Sequence, residues 1–267
     1  MRKRFSNLTR TVLLLAILVG CQQVAITGRD QLVLIPSSQL NALSFSEYSN
    51  LLNEYEIERN TPDAREVTAV GTDIKNAVER YFRQEGMSEQ LDDYAWEVNL
   101  LVDDDMVNAF AMPGGKVAVF TGMMDVAETP AQLATVMGHE VAHAIAHHGN
   151  ERMTQQLLTS LGGVGLAIAL RDKPQETQAL ALAAFGVGTQ LGILLPYSRT
   201  HESEADHLGL IFMAMAGYDP HEAVDFWENM DQLGGAGPPE WLSTHPAHQT
   251  RIENLNEWMP EAMRYYQ

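Results

Sequence analysis

The chain has 267 residues, of which 45% are hydrophobic, 19% charged and 7% aromatic. This composition is typical of a globular protein with one large domain or two small ones, and it excludes a collagen-like or disordered chain. Because 35 Asp and Glu residues outnumber 17 Lys and Arg residues, the formal net charge is −18. Such a surface repels phosphate backbones, so we expect no nucleic-acid partner.

The N-terminus has the pattern of a secretory signal. Basic residues at positions 2–4 precede an apolar stretch, residues 11–20, which is too short to span a bilayer. The sequence therefore predicts a signal peptide over residues 1–20. The only cysteine, Cys21, ends a Leu-Val-Gly-Cys segment that resembles the bacterial lipobox. By that resemblance Cys21 is acylated and anchors the protein in a membrane, and Gln22 favours the periplasmic side of the outer membrane.

The remaining chain is predicted to form a tether followed by one folded domain. Residues 21–36 have the pattern of a tether with a short strand, and residues 37–267 that of a single, mainly helical α+β domain. The predicted elements of this domain are, in chain order, helices over 37–57 and 62–85, strands Val98–Val102, Val107–Met112 and Lys116–Thr121, and a helix from Thr129 to about His148. Thr129 is a suitable N-cap for the last helix, and Pro130 suits its first turn.

Two apolar stretches lie within residues 161–196, separated by the polar segment RDKPQET. The second stretch is about long enough to cross a membrane. Thr189, Gln190 and three glycines interrupt it, which favours helices buried in the protein. The alternative is an apolar hairpin that faces a membrane.

The sequence His139-Glu140-Val141-Ala142-His143 is the most informative motif. Histidines four residues apart project from one face of a helix, so both imidazoles can bind a single metal ion. Glu140 can then lie beside the open coordination position and take a proton from water. The motif therefore predicts a catalytic site with one Zn²⁺ per chain.

A catalytic zinc site needs a third protein ligand, which His147 cannot supply. Eight residues of helix separate His147 from His139 by about 12 Å, whereas zinc–nitrogen bonds are only about 2 Å long. The segment 198–209 offers five candidates: His201, Glu202, Glu204, Asp206 and His207. Glu202 and Asp206 are one helical turn apart, so one could bind the metal while the other orients a histidine. Spacing alone leaves the choice among the five open.

Two segments of the chain together resemble the gluzincin family of metallopeptidases that contains HtpX and the CAAX prenyl proteases. They are HEVAHAIAHHGNERM at 139–153 and YSRTHESEADHLGL at 197–210. Three shorter segments match as well: Thr27–Arg29, Asn108–Gly115 and Ser243–Pro246. The match is closest to the bacterial periplasmic lipoprotein branch of that family, the BepA-like and LoiP-like enzymes of outer-membrane quality control.

This resemblance implies a zincin fold with a defined ligand set. Glu202 is the third zinc ligand, and Asp206 is the carboxylate that orients a histidine ligand. The resemblance also implies a zinc-dependent endopeptidase of the bacterial cell envelope that cleaves misfolded or misassembled proteins. BepA-like proteins carry a helical-repeat domain after the Ser243–Pro246 segment, and this chain ends soon after it. We therefore expect substrates to be selected in the cleft.

A small sheet beside the HExxH helix gives that cleft a physical basis. We expect the strand Lys116–Thr121 to present an unpaired edge, to which an extended peptide binds as an added strand. Four residues would then bind the substrate: Lys116, Val117, Ala118 and Val119. Main-chain hydrogen bonds tolerate many side chains, which suits a protease that acts on misfolded proteins.

His245 lies in the Ser243–Pro246 segment, whose counterparts in the family lie over the zinc cleft. Its imidazole could donate a hydrogen bond to the oxyanion of the tetrahedral intermediate. Alternatively, it could occupy the fourth zinc position in a resting state until substrate moves the loop. We favour the second role, because a protease without a repeat platform or prodomain needs another restraint on self-cleavage.

The presence of Glu140 also distinguishes between two possible functions, an enzyme and a binding protein. A general base in this position favours peptide hydrolysis, in which Glu140 takes a proton from water and delivers it to the leaving amine. The alternative is a periplasmic chaperone or assembly factor on a zincin fold, with proteolysis secondary. Such a factor would have no need of Glu140.

Overall fold

The computed structural model describes residues 21–233, 240–245 and 249–266. The predicted signal peptide, residues 1–20, lies outside the described residues. The described chain is mainly helical with a small mixed sheet, so the predicted α+β class is confirmed. Its contacts divide it into two units. The first unit comprises the described residues up to Pro36 and His147–His201, and the second comprises Ser37–Ala146 and the described residues from Glu202 onward.

The strands are β1 (Cys21–Gln23), β2 (Asp30–Leu32), β3 (Ile57–Glu58), β4 (Glu97–Leu101), β5 (Ala109–Met112) and β6 (Lys116–Phe120). The helices are α1 (Ser37–Glu54), α2 (Pro62–Gln84), α3 (Thr121–Met124), α4 (Pro130–Ile145), α5 (His148–Leu170), α6 (Gln175–Thr189), α7 (Leu195–Ala216), α8 (Glu222–Leu233), α9 (Glu240–Thr244) and α10 (Gln249–Ala262). A 3₁₀ turn at Ser88–Leu91 precedes β4, and a π turn at Gln190–Leu194 joins α6 to α7.

The four-stranded sheet of the second unit has the order β3-β4-β6-β5. β6 pairs in parallel with β4 and antiparallel with β5, so it lies inside the sheet. The prediction that Lys116, Val117, Ala118 and Val119 form a free edge is therefore wrong, because both sides of their strand are already paired. The edge strand is β5, which precedes β6 in the hairpin.

Helix α4 carries the HExxH motif and begins as the sequence predicts. The Thr129 hydroxyl accepts a hydrogen bond from the Gln132 backbone nitrogen at 3.1 Å, and Pro130 occupies the first turn. The helix packs against both α2 and β5, and its apolar residues Leu133 and Val136 are fully buried. This burial fixes the position of the motif that follows them.

Helix α7 crosses α4 at two glycines. A Cβ atom added at Gly138 would lie 3.0 Å from the Gly209 carbonyl oxygen, and one added at Gly209 would lie 2.8 Å from the His139 backbone nitrogen. Only glycines permit such an approach. The crossing brings the Glu202–Asp206 turn of α7 beside the histidines of α4.

The first unit contains the β1–β2 hairpin and the two helices α5 and α6. The sequence predicts buried helices over residues 161–196, but no described side chain from 161 to 195 is buried. Leu161, Val164 and Leu180 have 58%, 57% and 75% of their surface accessible. The buried interpretation is therefore wrong for the described structure, since the large apolar side chains of this segment are accessible.

Candidate active site

Four side chains of the second unit meet at the crossing of α4 and α7: His139, His143, Glu202 and His245. One donor atom from each lies within 4.8 Å of the other three. The Nε2 atoms of His139 and His143 are 3.0 Å apart. Glu202 Oε2 lies 3.4 Å from the His139 nitrogen, and Glu202 Oε1 lies 3.4 Å from the His143 nitrogen. Donors around a tetrahedral zinc ion with bonds of about 2.05 Å would be about 3.3 Å apart. The spacing therefore fits a single small metal ion.

The surroundings of the Glu202 carboxylate also indicate that a metal ion fits this site. Its Oε1 atom is buried and has no hydrogen-bond partner among the described residues. A buried carboxylate oxygen without a partner is costly unless a cation compensates it. Two imidazole nitrogens and a carboxylate are also a donor set suited to zinc.

The buried ion pair of Asp206 and Arg251 holds His139 through its Nδ1 atom. Its Nδ1 atom lies 2.9 Å from Asp206 Oδ1, so Nδ1–H can donate to the carboxylate while Nε2 faces the metal position. Arg251 contacts the two oxygens of Asp206 at 2.6 Å each and stacks over Trp227 at 3.5 Å. Asp206 thus has a fixed orientation and a compensated charge.

Burial and charge shift the pKa values of these groups strongly. Burial raises the pKa of the Glu202 carboxyl, but its electrostatic contacts with His139, His143 and His245 outweigh burial and the net shift is downward. The pKa of Asp206 is likewise lowered, because Arg251 and His139 outweigh its burial. Burial acts against protonation of His139, yet its bonds to Asp206 and Glu202 raise its pKa to about 9. For His143 burial prevails and lowers the pKa to about 4. The site therefore holds ionised carboxylates, which attract a cation.

Glu140 lies beside the donor group and is almost fully buried, with 4% of its surface exposed. The indole nitrogen of Trp241 donates a hydrogen bond of 2.7 Å to Glu140 Oε1. Trp241 in turn stacks on Trp227 with ring centroids 5.0 Å apart. This stack fixes the direction in which the Glu140 carboxylate points.

His245 follows α9 and contacts both the metal donors and Glu140. Its Nδ1 atom lies 2.8 Å from Glu202 Oε2 and 3.1 Å from His139 Nε2. Its Nε2 atom lies 3.4 Å from Glu140 Oε1. The imidazole therefore stands between the metal donors and the carboxylate of Glu140.

The other candidates on α7 have different surroundings. His201 bonds through Nε2 to Glu151 at 2.9 Å, and Arg29 pairs with the same carboxylate, within the first unit. His207 bonds to Glu261 at 2.9 Å. Glu204 is buried and does not belong to the donor group. The cysteine predicted to carry a lipid, Cys21, is exposed in β1.

The structure adds site residues that the sequence analysis missed. Trp241 and Trp227 flank Glu140 and His139, and Arg251 holds Asp206. Trp241 lies only four residues before His245, so its position next to the Ser-Thr-His-Pro segment was an available signal. Arg251 and Gly209 have no such signal, since their roles arise from the packing of α10 and α7.

The strand beside α4 is β5, and its outer edge is unpaired within the described sheet. The Phe120 nitrogen donates to the Asn108 oxygen at 3.0 Å, so residues 108, 110 and 112 face β6 in the antiparallel register. The backbone groups of Ala109 and Ala111 then face away from β6. Because the Ala109 nitrogen already donates to Asn108 Oδ1 at 2.9 Å, Ala111 offers the free backbone donor of this edge.

Comparison with known proteins matches the part of the chain that contains the candidate site. The sequence model of Peptidase family M48 matches residues 69–259. The mitochondrial metalloendopeptidase OMA1 of Homo sapiens is 34% identical over 247 residues, which are 90% of this chain and 46% of the relative. OMA1 of Schizosaccharomyces pombe is 35% identical over 219 residues, which are 80% of this chain and 59% of the relative. The chain spans about half the length of these relatives.

A bacterial protein also matches. The β-barrel assembly-enhancing protease of Escherichia coli is 33% identical over 158 residues, which are 57% of this chain and 32% of the relative. The comparisons thus support the metallopeptidase family as a whole and not its bacterial lipoprotein branch.

The comparisons also correct the expected location. The relatives that cover most of this chain are named as mitochondrial proteins in animals and yeasts. A lipid-anchored position at the periplasmic side of the outer membrane is therefore wrong. The expectation depended on a short basic and apolar leader and one cysteine, a pattern that does not by itself specify a membrane system.

Proposed function

The chain belongs to peptidase family M48, and on that premise we propose that it is a zinc-dependent endopeptidase that cleaves misfolded or misassembled proteins. The observation that carries the proposal is the position of Glu140. It lies next to a group of metal donors, buried and oriented by a single strong hydrogen bond. A purely structural metal site has no need of a buried carboxylate that lies beside the donor group without belonging to it.

Three residues would hold the zinc ion: His139 and His143 through Nε2, and Glu202 through its carboxylate. When bound, zinc acts as a Lewis acid that activates water at neutral pH and polarises the scissile carbonyl. Asp206 keeps the Nδ1 proton on His139, so that Nε2 presents its lone pair to the metal. Arg251 neutralises Asp206 and thereby keeps this arrangement stable in the buried site.

Glu140 would act as the general base and then as the general acid. It takes a proton from the attacking water and delivers it to the leaving amine. The bond from Trp241 occupies Oε1, which leaves Oε2 as the oxygen for proton transfer. Because Trp241 is fully buried, this orientation is set before substrate binds.

The edge strand β5 would bind the substrate main chain, in place of β6, the strand that the sequence predicts as the edge. An extended peptide aligned along β5 can exchange backbone hydrogen bonds with Ala111. That recognition needs an unfolded segment and tolerates many side chains. Both properties suit a protease that acts on proteins that have lost their native structure.

His245 would restrain the enzyme in its resting state. Its Nδ1 atom belongs to the donor group, so it can take the fourth metal position where the water would bind. Its other nitrogen lies 3.4 Å from Glu140 Oε1, so the same residue also contacts the side chain of the general base. Substrate binding would have to displace His245 before reaction.

The test uses one substrate in two conformations. Native ribonuclease A and its reduced, alkylated form share a sequence but differ in accessible main chain. We expect the purified full chain to cleave only the unfolded form, to lose activity on chelation and to regain it with zinc. Cleavage that persists without metal would overturn the proposal. Suppressed aggregation of the unfolded form with no cleavage would instead favour the chaperone function.

A further inference from the structure

Exposed apolar side chains are concentrated in one part of the first unit. Ten of the fourteen large hydrophobic residues that are exposed in the described structure lie between Leu157 and Leu195. No described side chain of α6 is buried, and those buried on α5 lie in its first two turns. A soluble protein rarely exposes an apolar surface of this extent without a partner.

Two helical segments, α5 and the one that begins with α6, have the dimensions of membrane segments. α5 has 23 residues, which is about 34 Å of helix, against a bilayer core of about 30 Å. Both α5 and the continuous helical segment Gln175–Ala216 are long and apolar enough to cross a membrane. A core helix or an N-terminal signal can also meet that criterion. These segments are neither, since 6% and 0% of their most apolar windows are buried and both lie in the middle of the chain.

The distribution of the apolar residues identifies lipid rather than protein as the covering material. Residues 161–170 (LGGVGLAIAL) and 179–188 (ALALAAFGVG) contain no polar side chain, so these parts of α5 and α6 are apolar on every side. A protein partner would cover one face and leave the others in water. A helix that is apolar all round and not buried in its own protein is suited to a bilayer.

The contact between the helices and their polar groups also fits a bilayer. The Phe185 ring packs on Gly162 and Gly163, where an added Cβ would lie 3.0 Å and 3.6 Å from the ring. Close approach at small residues is the usual way in which helices associate in lipid. The Thr189 hydroxyl donates to the Gly186 carbonyl at 2.9 Å, so it is satisfied within its own helix.

We propose that α5 and α6 form a hairpin that inserts into the hydrocarbon layer of a lipid bilayer. The polar segment 171–178, which contains Arg171, Asp172 and Lys173, lies at the opposite end of α5 from its polar start, and both polar ends would lie in headgroup regions. This inference does not depend on the proposed protease function. It concerns only the first unit and its attachment to a membrane.

The test places a fluorescent probe at single cysteines in the full chain. In a Cys21→Ser background, Val164→Cys and Leu180→Cys report on the hairpin, while Arg152→Cys and Asp172→Cys are the matched polar controls. Each variant is labelled with an environment-sensitive dye and mixed with phosphatidylcholine vesicles that carry brominated acyl chains. We expect a blue shift and strong quenching at positions 164 and 180, and neither effect at 152 and 172.

Two results would overturn the proposal. One is emission at positions 164 and 180 that does not respond to vesicles. The other is the same blue shift without lipid in a dimeric protein, which would show that a second copy covers the hairpin.

A charge variant gives an independent measure of insertion. Val164→Arg should weaken co-sedimentation with the same vesicles by about 10-fold or more, because a charge in the hydrocarbon layer is costly. Its control, Gln156→Arg, adds the same charge in the polar half of α5 and should have little effect. Equal binding by both variants would contradict insertion.

Discussion

Gly209 of α7 lies against the backbone of His139 in α4, so that a methyl group added at Gly209 would be 2.8 Å from the His139 nitrogen. Backbone atoms cannot rotate away as a flexible side chain can. A side chain at position 209 would therefore push the two helices apart. Because α4 carries the two histidines and α7 carries Glu202, the glycine contact sets the spacing of the metal donors.

We accordingly expect Gly209→Ala to weaken zinc binding by about 10–100-fold, similar to the loss of a contact that orients a ligand. Competition with a chromogenic chelator measures the change. The control is Gly149→Ala, since a Cβ at Gly149 meets no atom within 4 Å. Wild-type zinc affinity in Gly209→Ala would show that the helices are free to shift without disturbing the site.

Trp241→Phe tests the orientation of Glu140. The change keeps an aromatic ring in the stack with Trp227 but removes the hydrogen bond to Glu140 Oε1. Hydrogen bonds to charged groups contribute about 1.5–3 kcal/mol, so kcat should fall by about 10-fold or more. Zinc content should stay the same. Trp258→Phe, which alters only the ring stacked on His207, is the control, and equal kcat values in the two variants would contradict the assigned role.

Ala111→Pro tests whether β5 binds the substrate main chain. Proline removes the backbone N–H that points away from β6, and an edge strand tolerates it. We expect KM to rise several-fold, since one hydrogen bond contributes about 1 kcal/mol. Ala111→Val keeps the N–H and serves as the control. If KM is the same in all three proteins, substrate does not pair with this part of the edge.

His245→Ala distinguishes the two roles of this histidine by the sign of the effect. If Nδ1 of His245 occupies the fourth metal position, its removal leaves three zinc ligands and should raise the turnover of a short quenched peptide. If the imidazole stabilises the oxyanion instead, turnover should fall. The contacts with Glu202 and Glu140 lead us to expect the increase. An unchanged rate would leave His245 without a role in the reaction.

The local pattern of the sequence predicted most of the fold, because caps, turns and helical spacing act within a few residues. The helix that begins at Thr129 and the β5–β6 hairpin are examples. The partner of β6 on its other side could not be predicted in this way. The parallel pairing with β4 joins Val98 to Val117 across the chain and depends on how α2 and α4 pack on the sheet. For this reason the edge was assigned to the wrong strand of a correctly predicted hairpin.

The candidate site likewise combines residues that local sequence patterns predict with residues that only the fold brings together. The HExxH spacing brought His139, Glu140 and His143 together from sequence alone. Spacing left the choice among the five polar residues of α7 open; the family resemblance indicated Glu202, and the crossing at Gly209 places that residue beside the histidines. The contacts of Trp241 with Glu140 and of Arg251 with Asp206 join residues more than forty positions apart, so the fold and not the local sequence specifies these pairs.

The most direct test of the account compares the zinc content and the activity of Glu140→Gln in a single preparation. Glutamine keeps the size of the side chain and can still accept the Trp241 bond, but it cannot take a proton. We predict about one zinc per chain, as in the wild type, and hydrolysis of unfolded ribonuclease A reduced by about 100-fold or more. Glu228→Gln, the same change at an exposed position of α8, should leave both quantities unchanged. Hydrolysis by Glu140→Gln at the wild-type rate would contradict the account.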